Sequence, residues 1–188
     1  LAEIARKERD WMRKSFLIGL LANLELRSGN RDTALALARE SIRHPQKQRP
    51  VLRRSLEGGL AMILALEGAT DEAEALLPPQ EGSDMVTDMD RMVVWARAGQ
   101  WQRVADFQYR RLPEIAGLRH ANRVMALLKA AALAHTGGGE LKLQRMVDQA
   151  RPRFGDEYAY LADGWPELTS FLEAHPQLKR PRNILQRA

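Results

Sequence analysis

Cysteine is absent from this 188-residue chain, which excludes disulfides, thiolate chemistry and Cys-ligated zinc, and is compatible with cytoplasm and periplasm alike. Aromatic residues make up only 6% of it, so a core must be built mainly from Ala and Leu, which suit close helix packing. The longest apolar run, Phe16 to Ala22, is far too short to span a bilayer. Period-2 alternation is essentially missing, which removes strands from the expected architecture. Charge of one sign is not dominant: 29 Lys and Arg face 24 Asp and Glu, a net charge of +5 with the two signs interspersed. The excess of Arg over Lys points to a GC-rich, hence bacterial, genome. A first residue of Leu rather than Met leads us to expect a piece of a longer protein.

What is present is a helical pattern that recurs. In the stretch Ser15 to Pro45, Ile18, Leu21, Ala22 and Leu26 repeat at spacings of three and four, the mark of one helix face. Gly29 then stops the helix in a left-handed conformation. Asp32 is placed to cap a second helix with Ala34, Leu35, Leu37, Ala38 and Ile42 on its apolar face, and Pro45 closes the unit. Three more Gly-punctuated hairpins follow. One runs from Val51 to Leu77, one from about Asp84 through a partner helix Trp101 to Ile115, and one from Leu118 to Ala150. The turn glycines Gly29, Gly68, Gly99 and Gly137 lie 39, 31 and 38 residues apart, a period typical of helical solenoids.

Ala22, Gly29, Ala34 and Pro45 occupy the places of the small residue, turn glycine, second-helix Ala and closing Pro of a tetratricopeptide repeat, and the hairpin resembles that family. The expected fold is therefore all-α, an α-solenoid of about four TPR-like hairpins over residues 15–152. An N-terminal helix or cap (1–14), C-terminal capping helices (153–176) and a basic tail (177–188) flank it. In that tail Ile184 and Leu185 are expected to dock on the protein or on a neighbour.

No catalytic constellation or metal set is readable. The four histidines, His44, His120, His135 and His175, sit near predicted helix ends, where they would satisfy terminal carbonyls. Asp84, Asp88 and Asp90 fall near a helix start, where carboxylates favour the dipole, and they lack the calcium-loop pattern. No enzyme activity and no cofactor are expected.

The resemblance implies that partners bind along a concave face made by the first helix of each hairpin. Aligned on the turn glycines, that face comprises Gly19, Asn23, Arg27, Gly58, Met62, Met89, Val93, Arg97, Leu127, Ala131 and His135. The family's carboxylate clamp is not reproduced, because Gly19 stands where its Lys would be. An apolar groove of this kind suits an amphipathic helix or an extended apolar segment; equally, the chain's own packing can fill it. The leading expectation is a protein–protein interaction or scaffold module that binds a peptide or helical segment of a partner. A second is binding of RNA or DNA through Arg43, Lys47, Arg49, Arg53 and Arg54 and the tail; the tryptophans are expected to pack in the core between hairpins, and Trp95 and Trp101 beside Arg97 and Arg103 would form a stacking platform only if exposed. A ligand-sensing domain of a regulator is a third. Self-association is also open.

Overall fold

The computed structural model describes residues 2–44, 48–77, 85–109, 119–152 and 157–179, and among these every regular element is helical. The expectations placed on Pro45, Lys47, Asp84, Ile115, Leu118 and the Ile184–Leu185 pair lie outside the described residues. By its contacts the chain forms two compact units, Leu1–Val94 and Trp95–Ala188.

In the first unit, α1 (Ala2–Lys7) and α2 (Trp11–Arg27) are separate helices rather than one continuous helix through Lys14. The break has a local cause. Asp10 is extended, and its carboxylate accepts from the backbone N–H groups of Met12 (2.9 Å) and Arg13 (3.4 Å), an N-cap that starts a new helix. α3 (Arg31–Ser41) packs along α2, and α4 (Pro50–Leu66) packs against both. α5 (Thr70–Leu76) folds back on α4. α2 and α4 approach closely at Gly19, where a Cβ would come within 2.4 Å of Leu56 Cδ2. The polar linker before α4 is not wholly solvated. Gln48 is buried, and its Nε2 donates to Ser15 Oγ (3.1 Å) and the Ser41 carbonyl (2.6 Å).

α6 (Met85–Arg97) leads to α7 (Trp101–Asp106), then α8 (Arg119–His135), α9 (Glu140–Ala150), α10 (Ala159–Ala162) and α11 (Pro166–Ala174), with a 3-10 turn at Pro176–Leu178. In the second unit α7 and α9 both pack on α8. α8 is apolar almost all round, with every residue from Val124 to Leu128 and from Ala130 to Leu133 buried, as expected of a helix enclosed by its neighbours. α7 ends at Asp106, nine residues before the end expected from sequence. Phe107 leaves the helix in an extended conformation to meet Trp95 edge-on at 5.2 Å, and Lys129 Nζ donates to its carbonyl at 2.6 Å. Burial lowers the Lys129 pKa.

One turn occurs four times. Gly29, Gly68, Gly99 and Gly137 all have positive φ, between 72° and 89°. Each is followed by an N–H that reaches five residues back: Asn30 to Glu25 O, Ala69 to Leu64 O, Gln100 to Trp95 O and Gly138 to Leu133 O, at 2.7–2.9 Å. These are Schellman caps, which satisfy carbonyls left open at the helix end. In the first three, the residue after glycine has nearly the same conformation (φ near −80° to −88°, ψ 50–65°) and itself begins the next helix. Asn30, not Asp32, holds that place in the first turn, and its amide donates to Glu25 Oε2 instead of capping. Five residues after each of these glycines, Ala34, Ala73 and Val104 are fully buried. The fourth turn is one residue longer, through Gly138 and Gly139, and its exit geometry differs.

A Cβ at Gly68 would meet open space, so the cost of replacing it is conformational. Gly68→Val should therefore lower unfolding free energy by about 1–2 kcal/mol in urea titrations. Gly59 is helical with open space at its Cβ, and Gly59→Ala should leave stability unchanged or raise it by up to about 1 kcal/mol. Equal effects from the two substitutions would contradict this reading of the turns.

Candidate partner-binding surface

The residues aligned as a concave face do not share one environment. Asn23 and Arg27 are exposed on α2, and His135 is exposed at the end of α8, its ring 5.2 Å from that of Trp101. Met89 is half-buried. Met62, Val93 and Leu127 are buried, as are Gly58 and Ala131. Arg97 is half-buried, its Nη1 donating to the Gly164 carbonyl (3.2 Å) and its guanidinium 5.3 Å from the Trp165 ring centre. Apart from Met89, the apolar members of the aligned face are thus core, and a charge at Met62 or Val93 would test packing rather than binding.

What is open lies on α2, in a register the sequence reading passed over. Phe16, Leu20 and Leu24 are 50%, 40% and 50% exposed, on the helix face away from the buried Ile18, Ala22 and Leu26. Their spacing of four stacks them in one row. Beside the row lies a cleft lined by Phe16, Gly19, Leu20 and Asn23 of α2 and by Leu52, Ser55 and Gly59 of α4. A second hollow of about 380 Å³, lined by Glu8, Met12, Arg13, Phe16, Leu17 and Leu52, continues it toward the start of α2. The two share Phe16 and Leu52, and Val51, 59% exposed, begins the α4 side. Gly59, whose Cβ position faces open space, keeps the α4 side open, while Gly19 lets α2 and Leu56 of α4 meet beneath the cleft. Of the aligned residues, Gly19 and Asn23 line this cleft. On α4 the lining runs from Leu52, Ser55 and Gly59 down to the buried Leu56, Leu60 and Ile63, and does not include Gly58 or Met62.

The proposed anion-binding residues separate similarly. Arg43, Arg49 and Arg53 are exposed, but Arg53 Nε donates to Glu57 Oε1 at 2.7 Å, and Arg54 is half-buried. Trp95, Trp101 and Trp165 are buried. Arg103 covers Trp95 at 4.0 Å, and Trp101 stacks on Trp165 at 6.0 Å, so these rings form no exposed base-stacking platform.

Two polar features escaped sequence reasoning. His120, in the first turn of α8, is buried. Its Nδ1 lies 2.8 Å from Glu157 Oε1 and its Nε2 2.8 Å from Tyr160 Oη, while Arg123 Nε donates to the same carboxylate oxygen at 3.0 Å. It therefore satisfies side chains at Glu157–Tyr160 rather than helix-end carbonyls; His175, by contrast, does bond the Phe171 carbonyl (2.9 Å). The second feature is Asp90. Asp88 occupies the first turn of α6, but Asp90 lies beyond it and is 2% exposed. Its Oδ2 has no hydrogen-bond partner among the described residues. Burial, with a smaller contribution from Asp88, raises its pKa from 3.8 to about 7.

Among the described residues, no group of three or more His, Asp or Glu is placed to hold a metal, and no helix is long and apolar enough to cross a membrane. The chain matches no protein-family model, no curated protein and no solved structure.

Asp90 gives the stability a pH dependence. Its folded pKa lies above its unfolded one, so the native state holds the proton more tightly. Its contribution is present below pH 4 and is lost as pH rises to about 7, a change on the order of 3 kcal/mol. Thermal melts between pH 4.5 and 7.5 should show wild type losing stability more steeply than Asp90→Asn. Parallel curves for the two proteins would overturn this account of Asp90.

Proposed function

We propose that this chain is a TPR-like helical-repeat module, its hairpins forming an α-solenoid, that binds a helical segment of a partner protein along the exposed face of α2 and the adjoining edge of α4. The repeat reading is supported by the recurrence of one turn geometry at Gly29, Gly68 and Gly99, with a buried small or β-branched residue five positions later each time. The binding reading rests on one observation. Phe16, Leu20 and Leu24 form an exposed apolar row beside an open cleft, on a helix whose opposite face already supplies the core. Each such side chain, about half exposed, forgoes roughly 0.7–1.5 kcal/mol of burial free energy. A contiguous row bordered by polar groups is the usual form of an interaction site. The basic cluster around α4 is a weaker candidate for a partner surface, because Glu57 neutralises Arg53 and Arg54 is half-buried.

The test uses fluorescein-labelled 15-residue amphipathic helical peptides, with apolar residues at i, i+4 and i+8, and scrambled controls. The patterned peptides should bind at least tenfold more tightly than their scrambles. Leu20→Asp should remove the difference while leaving the melting midpoint within about 2 °C, since Leu20 is on the surface. No preference for the patterned peptides would count against the module reading.

A further inference from the structure

The exposed row on α2 has a cation one turn beyond each end. Arg13 precedes Phe16 and Arg27 follows Leu24. At 100° per residue, Arg13, Phe16, Leu20, Leu24 and Arg27 fall within about a quarter of the helix circumference, with the two arginines about 21 Å apart along the axis. Both are exposed, and among the described residues neither has an ion-pair partner. Glu8, the one carboxylate lining the hollow at the Arg13 end, has its Oε1 engaged by the Asp10 N–H at 2.9 Å. Arg53, by contrast, is held by Glu57. This surface is therefore apolar along its middle, with at each end an exposed arginine that makes no ion pair among the described residues.

From this we infer the chemistry of the occupant: an amphipathic helix of a partner protein with apolar residues at i, i+4 and i+8, and Asp or Glu about one turn beyond each end of that row. The inference rests on the binding reading above and adds to it the charge and length of the partner. Charge decides against a second copy. Pairing α2 with α2 of another chain in antiparallel fashion sets Arg13 against Arg27, and parallel pairing sets each arginine against itself. Either way like charges meet, which is unfavourable. Shape favours a helix over a flat anionic membrane, because the hollows between α2 and Leu52, Ser55 and Gly59 of α4 are recessed. An apolar row laid into a recess is the helix-in-groove mode.

The experiment compares three 17-residue peptides with the same Leu/Phe row: one with Glu at both ends, one with Gln and one with Lys. Anisotropy titrations are run at 50 and 300 mM NaCl against wild type and against Arg13→Glu/Arg27→Glu, whose fold is checked by circular dichroism. The inference predicts that at 50 mM the Glu-ended peptide binds wild type at least tenfold more tightly than the Lys-ended one. That ratio should shrink at 300 mM and invert on the double variant. Equal affinity for all three peptides, with sensitivity to Leu20→Asp retained, would overturn the acidic partner and leave the apolar groove standing. Failure of every peptide would overturn both. Two further outcomes would replace the proposed occupant: a dimer in sedimentation velocity abolished by Leu20→Asp, or binding to phosphatidylglycerol vesicles stronger than to the Glu-ended peptide.

Discussion

A helix that must reverse direction within two residues needs a backbone conformation that side chains with a Cβ resist, and this constraint sets the layout of the protein. At Gly29, Gly68, Gly99 and Gly137 the chain takes a left-handed φ, closes the spent helix with a bond from the following N–H, and in the first three cases begins the next helix at once. Because the exit is so short, α3 returns along α2 and α5 along α4. Ala34, Ala73 and Val104, five residues after these glycines, are fully buried. A helix enclosed by its neighbours becomes apolar almost all round, as α8 is. α2 is not enclosed. It keeps one apolar face for the core and a second for solvent.

Much of this was legible in the residues. The 3.6-residue period and the glycine punctuation located most helices, and α9 ends at Ala150 as expected. The misreadings have identifiable causes. Asp10 interrupts a run that is helical by pattern, because its carboxylate satisfies two N–H groups at the start of α2. Phe107 ends α7 early because Trp95 and Lys129 offer more to an extended residue than another turn of helix does. Both competitors act through the fold, which periodicity does not contain. Gln48 reads as linker, yet it satisfies buried Ser15 and the end of α3.

The site was less legible than the fold, and α2 shows why. Phe16, Leu20 and Leu24 repeat every four residues as plainly as Ile18, Ala22 and Leu26, but two interleaved stripes on one helix read as a single apolar segment. Only packing reveals which stripe the protein covers. Alignment on the turn glycines carried the α2 register unchanged to α4, where the equivalent places, Gly58 and Met62, point inward and Gly59 opens outward. Asp90 and His120 were misplaced for a related reason: helix position suggested a dipole or carbonyl role, whereas burial determines the surroundings of both.

The central claim is that partner binding belongs to the free stripe of α2. It is tested most directly by backbone amide shift mapping on 15N-labelled protein as an acidic-ended amphipathic peptide is added. The account predicts the largest changes at Phe16, Leu20, Asn23, Leu24 and Arg27, with a second group at Leu52, Ser55 and Gly59. Changes centred instead on Trp95 to Leu133, or spread evenly over the chain, would contradict it.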